Sequence, residues 1–265
     1  MKLTVSEINV YPVKSLAGWR LGSAKVTGTG FARDREWMVV DQQGGFITQR
    51  QYPKMALIKP ELSDNTLTLS AEEAGSVMAP IVEAGTEIAV RVWESDCMAI
   101  DQGDQAATWL SNYLGKPCRL VRMAPDFTRH IKEKYQLHGD ESVGFADALP
   151  FLLVSEASLD DLNSKLAEPV PMNRFRPNIV VAGGNAFQED TWKRIKIGEV
   201  IFRVVKPCAR CETTTINQAT GEKGIEPLET LGTYRTGPKG VMFGQNMVQE
   251  NTGVVRVGDV IEVLE

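Results

Sequence analysis

The chain has 265 residues, 43% of them hydrophobic and 24% charged, enough to bury a full core as one large domain or two close-packed ones. A net charge of -5 and a pI near 5.3 argue against broad binding to nucleic acid or an anionic membrane, so no nucleic-acid partner is expected and any basic cluster has to be local. No stretch approaches the roughly 20 apolar residues of a membrane helix, the first residues lack the apolar run of a signal peptide, and four cysteines without such a signal point to free thiols in a reducing cytoplasm.

From residue 3 to about residue 100 the pattern is almost entirely β. Val5, Ile8, Val10 and Val13 lead into Tyr11-Pro12-Val13-Lys14-Ser15, and Gly18, Gly22, Gly28 and Gly30 then punctuate short strands in the manner of a barrel or sandwich. Arg33 to Asp41 alternates charge with apolar bulk, which predicts an extended segment with Arg33, Arg35 and Trp37 on one face. Gly44-Gly45 turns the chain into Phe46-Ile47-Thr48, the second arm of a hairpin, and Leu67 to Leu69 and Ile88 to Trp93 give further strands. A helix follows: Ala106, Trp109, Leu110, Tyr113 and Leu114 recur at helical spacing, capped by Asp101 to Asp104 before and Gly115 after. Pro125 to Gly139 is charged and aperiodic and carries both histidines, His130 and His138, whose separation in a loop favours the surface over metal binding. The division between halves falls at 1–122 and 123–265.

The second half opens on a buried strand, Pro150 to Val154, that runs into a helix marked by Leu159, Leu162 and Leu166 and capped by Ser155 or Ser158. Arg174 and Arg176, two apart in a segment that Pro177 biases toward extension, point the same way ahead of the strand Ile179-Val180-Val181. Phe202 to Val205 and Thr213 to Ile216 read as strands, which places Cys208-Ala209-Arg210-Cys211 in the connection between them. A run of threonines is a poor helix start, so a dithiol redox pair at a helix N-terminus is disfavoured, and a structural zinc site lacks its second ligand pair. Two small core residues beside a turn remain one reading. The other is that Arg210, a permanent cation next to Cys211, favours the thiolate and makes Cys211 a metal ligand or nucleophile. Lys14, Arg35, Arg176 and Arg210, entering strands of an acidic protein, suggest converging donors for a phosphate or carboxylate, with scattered surface ion pairs as the alternative. Glu226 to Leu231 begins a short helix with proline in its first turn, and Val254 to Val263 reads as two β segments about a Gly-Asp turn, the last suited to closing a barrel.

Tyr11-Pro12-Val13-Lys14-Ser15, Arg33-Asp34-Arg35, Pro150 to Ser158, Asn173 to Asn178, Cys208-Ala209-Arg210-Cys211 with Thr213-Thr214, and Phe243-Gly244-Gln245-Asn246 occur in the order seen in the MOSC-domain family. Together they span essentially the whole chain, and it most resembles the branch of amidoxime-reducing molybdenum enzymes and their bacterial relatives that act on N-hydroxylated compounds. The resemblance implies a mainly β fold with some α, of the α+β class: an N-terminal β-barrel-like domain packed on a MOSC β-barrel. It also implies a molybdenum cofactor (a molybdopterin) between the domains. Carried over by motif, Cys211 is the molybdenum ligand and catalytic residue, and Lys14, Ser15, Arg35, Arg176, Asn178, Arg210 and Asn246 match cofactor-binding positions. Ala148 and Leu149 stand where animal relatives place small hydroxyl residues, and Asn246 where they place an aromatic.

The implied activity is reduction of a small N-hydroxylated substrate with electrons from a separate donor, a ferredoxin-type protein, a flavin reductase or a b-type cytochrome. Persulfide transfer through Cys211 and a cofactor-carrier role are the alternatives. The sulfur-transfer branch is usually fused to a pyridoxal-phosphate domain, which this chain lacks. No G-x-G-x-x-G fingerprint and no closely spaced cysteine set for an iron–sulfur cluster accompany the motifs.

Overall fold

The computed structural model describes residues 2–265. Its centre is a nine-stranded sheet in the order Ile261–Val263, Arg194–Ile197, Val200–Ala209, Gly240–Gln249, Phe151–Ser155, Ile179–Ala182, Thr4–Val10 and Trp19–Leu21, with Thr236–Gly237 added beside Gly240–Gln249. Phe151–Ser155 and Ile179–Ala182 run parallel, and the helix Glu156–Asn163 lies in the crossover between them. The ends of the sheet meet. Val5 N–H donates to Asp259 O at 2.9 Å and Ile261 N–H to Leu3 O at 3.0 Å, which closes the sheet into a barrel and leaves few free edges. Val5 and Ile8, three apart, both point inward because the register against Ile179–Ala182 slips between Val5 and Glu7, a bulge. Phe31, Phe151 and Phe202 fill the centre edge to face, at 4.9 and 5.1 Å.

The first half adds a four-stranded antiparallel sheet, Trp37–Asp41, Cys118–Met123, Ser95–Asp101 and Glu87–Val92, and a three-stranded one, Lys59–Leu62, Thr66–Ala71 and Gly75–Pro80. The helix Asp104–Leu114 covers a shared core of Trp37, Val39, Leu67, Leu69, Leu110 and Leu120, and ends at Gly115, whose φ of +71° is the left-handed cap that glycine adopts freely. The expected dividing line at residues 122 and 123 is crossed by the chain's first strands. Thr4–Val10 and Trp19–Leu21 belong to the nine-stranded sheet, and Ser23–Thr27 pairs with Gly253–Arg256.

Five local expectations are corrected. Arg33 and Arg35 do not share a face of a strand: both have left-handed φ, +69° and +50°, in a turn held by Asp34, and the strand begins only at Trp37. Arg174 ends a 3-10 turn and Arg176 has φ +55°, so the two side chains diverge, Arg174 donating to Thr214 O at 2.7 Å and to Glu226 O at 2.8 Å. The threonines after Cys211 form a 3-10 turn, Glu212–Thr215, in which Thr214 and Thr215 hydroxyls bond back to the Cys211 and Glu212 carbonyls at 2.9 Å each; these local bonds outcompete a ladder. The short helix starts two residues late, at Leu228–Tyr234. The second hairpin arm after Gly44-Gly45 is reduced to a single bridge, Val40 to Phe46.

Candidate functional site

A cavity of about 240 Å³ opens between the two halves, and all eight residues expected at a site line it. Lys14, Ser15 and Arg35 come from turns of the first half; Arg176, Asn178, Arg210, Cys211 and Asn246 come from the ends and edges of the barrel strands. Three of the eight, Ser15, Arg35 and Arg176, hold left-handed φ of +68°, +50° and +55°. Each such residue costs on the order of 1–3 kcal/mol and persists where its surroundings over-determine it. Here Gln49 Nε2 donates to Ser15 O at 2.8 Å, while Arg35 N–H donates to Tyr11 O at 2.8 Å and Phe145 N–H to Arg35 O at 2.7 Å. Gly144 permits the last contact, since a Cβ there would lie 2.7 Å from the Arg35 carbonyl oxygen.

The deep end is cationic and built on Tyr11. The Arg35 and Arg176 guanidinium carbons lie 4.4 and 4.2 Å from its ring centroid, and its hydroxyl donates to Pro177 O at 3.2 Å. Burial pushes the Tyr11 phenol up to about 12, against the pull of the two cations. Arg35 is tied to Asp34 and donates to Asn178 Oδ1 at 3.1 Å. Asn178 is itself committed to the protein, accepting from Leu152 N–H at 3.2 Å and donating to Asn9 O at 3.2 Å, so it positions Arg35. Arg176 makes one long side-chain hydrogen bond among the described residues, 3.5 Å to Gln218 Oε1, and burial pulls it down to about 10. Lys14 is buried, which lowers its pKa, and its ammonium contacts Asp147 and Phe145 O. Asp147 is the only carboxylate among the described lining residues. Its side chain is exposed to the cavity, and the Lys14 ammonium and the Trp93 N–H hold its carboxyl below the ordinary carboxylate range.

At the open end the strand Val200–Ala209 carries register shifts against Gly240–Gln249, between Val204 and Lys206 and between Pro207 and Ala209. Gly244 faces the same region with φ +78°, and its missing side chain leaves room for Leu153 O, which a Cβ would approach to 2.7 Å. The chain leaves the barrel at Cys211, exposed, at the start of the 3-10 turn, with its Sγ–H directed to Thr213 Oγ1 at 3.4 Å. Arg210 turns the other way. Its guanidinium donates to Cys208 Sγ at 3.0 Å and to Phe175 O at 2.7 Å, so the cation next to Cys211 in sequence serves Cys208 in space, and its buried Nε has no partner among the described residues. The bland reading of the pair as two core residues does not hold for Cys211. Asn246 donates weakly to Pro207 O, at 3.5 Å.

Residues 2–117 match the MOSC N-terminal beta barrel domain and residues 140–262 the MOSC domain. The mitochondrial amidoxime-reducing component 1 of mouse is 38% identical over 98% of this chain and 82% of its own length, and that of human 37% identical over 98% and 83%. Component 2 of rat is 38% identical over 97% and 82%. The chain belongs to the MOSC-domain family. Within this MOSC protein Ala148 and Leu149 do line the cavity, so that stretch can offer a ligand only backbone and apolar surface. The sequence reading missed Asp147, Arg50 and Lys206, all of which line the cavity, and Tyr11, which carries two of its arginines. Asp147 had a signal, being a lone charge in the apolar run Val143 to Val154. Arg50 and Lys206 had none.

Proposed function

We propose that this protein is a molybdenum-cofactor-dependent reductase of N-hydroxylated compounds, acting in the cytoplasm with electrons from a separate donor protein. The observation that carries the reading is the donor set of the cavity. An exposed thiol opens onto the same space as Arg50, Arg176, Lys206 and Arg210, none of which has a carboxylate within ion-pair distance among the described residues. A buried guanidinium without an anion is costly, and together with the partnerless Arg210 Nε the arrangement suits a ligand with a phosphate at one end and a soft metal at the other. The names of the relatives, amidoxime-reducing components, supply the substrate class.

In this reading Arg176, Arg35 and Ser15 bind the phosphate end, with Tyr11 and Asn178 keeping the arginines in place. Lys14, neutralised by Asp147, fixes the wall between them. Cys211 holds the metal, and Thr213 orients its sulfur. When bound, the cofactor supplies the two electrons that, with two protons, convert an amidoxime to the amidine and water. The test is expression with molybdate, metal analysis, and anaerobic assay of an aryl amidoxime with reduced viologen. One molybdenum per chain together with turnover supports the reading. A persulfide on Cys211 without molybdenum, or bound cofactor without turnover, would replace it by sulfur transfer or by a carrier role.

A further inference from the structure

Trp93 occupies a position that backbone physics does not favour for it. Strand Glu87–Val92 pairs directly with Ser95–Asp101, Val92 opposite Ser95, so Trp93 and Glu94 form a two-residue hairpin turn, and Trp93 takes φ +57°. Glycine, asparagine and aspartate take that conformation readily, whereas a bulky side chain there is an outlier. The side chain gains no shelter in return, since 45% of the residue remains exposed.

What the outlier achieves is placement. The indole leaves its hairpin, donates from Nε1 to Asp147 Oδ1 at 3.1 Å, meets Phe46 edge-on at 5.1 Å and carries the Arg50 guanidinium 4.7 Å from its ring centroid. Asp147 and Arg50 both line the cavity. Cys211 and Thr213 line that same cavity beside Arg50. The rim therefore runs from the indole through Arg50 to the Cys211 turn. Strain of this kind collects at ligand clamps, and an aromatic ring with one cation already stacked on it extends a flat surface for a second planar group.

We propose that Trp93, with Arg50, is a specificity-determining residue: the rim selects N-hydroxylated substrates whose reacting group is conjugated to a planar ring. This rests on the reductase reading, and binding can be measured apart from turnover. The variants are Trp93→Phe, which keeps a ring but no N–H, and Trp93→Asn, which relaxes the turn. Without reductant, calorimetry on the cofactor-loaded protein compares benzamidoxime with acetamidoxime. With Trp93→Asn, benzamidoxime binding should weaken by roughly two- to twelvefold, the span of one aromatic contact, while acetamidoxime binding changes less than twofold. Trp93→Phe should recover most of the loss, and the melting temperature of Trp93→Asn should not fall. With reductant, the same split should appear in KM and leave kcat nearly unchanged. An equal loss for both ligands, or a destabilised Trp93→Asn, would reduce Trp93 to a latch between hairpin and pocket wall and overturn the proposal. If the wild type binds with this discrimination yet reduces neither compound, the reductase reading fails and the recognition role stands.

Discussion

Arg176 allows the cavity's surplus of positive charge to be weighed directly, because its effects on the empty and the loaded protein should have opposite signs. Burial lowers its pKa from the ordinary guanidinium range to about 10, a penalty on the order of 3 kcal/mol at about 1.4 kcal/mol per pH unit. The contact with Tyr11 offsets about 0.5–2 kcal/mol of that. Arg176→Met keeps the apolar stem, so the cofactor-free variant should be more stable than wild type by about 1–2 kcal/mol, a rise of a few degrees in melting temperature for a chain of this size. With the anionic ligand bound the sign reverses. A lost charge-assisted contact of about 1.5–3 kcal/mol should weaken cofactor affinity roughly tenfold to a hundredfold. The pH dependence follows from the same pKa. Below pH 10 the group is charged whether the chain is folded or not and the penalty is fully present; from about pH 10 up toward the ordinary guanidinium range it deprotonates in the folded chain first, and the penalty is relieved. Wild-type cofactor-free protein should therefore gain relative stability over that window and the variant should not. The assays are thermal and urea unfolding of both forms, and molybdenum content after purification. A cofactor-free variant less stable than wild type, with undiminished cofactor content, would refute the idea that this cation awaits an anion.

Cys211→Ala should abolish reduction and molybdenum retention while changing the melting temperature by no more than a degree or two, since the residue is exposed; Cys208→Ala should leave measurable activity. Glu189→Ala should cost about 1–3 kcal/mol in urea unfolding, because the Glu189 carboxylate, 1% exposed, accepts from Ser155 N–H at 3.2 Å and from the Ser158 hydroxyl at 2.7 Å. Gly244→Ala should be destabilising by about 1–3 kcal/mol, its φ of +78° and the crowding at Leu153 O acting together. Reduced viologen should drive turnover and NADH alone should not, as the chain carries no dinucleotide fingerprint; steady turnover with NADH and no second protein would refute this.

Period-2 patterning made the strands of both halves legible, and the spacing of Ala106, Leu110 and Leu114 gave the helix together with its glycine cap. Closure of the barrel was legible only as a suitable last strand. Its actual seam joins Leu3 and Val5 to Asp259 and Ile261, a pairing across the whole chain that no local pattern encodes. The site was legible as a set of motifs but not as geometry. Ser15, Arg35 and Arg176 take backbone conformations that their residue types disfavour, so any reading from propensity places them in strands and aims them wrongly. Arg210 was assigned to the wrong cysteine for a related reason. Sequence adjacency to Cys211 suggested contact, but successive side chains of extended backbone point apart, and Cys208, two residues away, is the one it faces.

The same geometry explains why the cavity is built across two halves rather than within one. Tyr11 from the first half carries Arg176 from the second, while Asn178 from the second holds Arg35 from the first, and Gln49 and Gln218 exchange hydrogen bonds at 3.0 and 3.3 Å across the same boundary. Each cation is thus kept in place by the opposite half, so no single element can relax to relieve the repulsion between them. A ligand that binds only this assembled arrangement stabilises it by mass action, and the strain and unpaired charge become part of what the bound anion offsets. Loss of the ligand should accordingly be felt first where the halves meet, as faster amide exchange at Arg35, Gln49 and Gln218 than in the Phe31, Phe151 and Phe202 centre of the barrel.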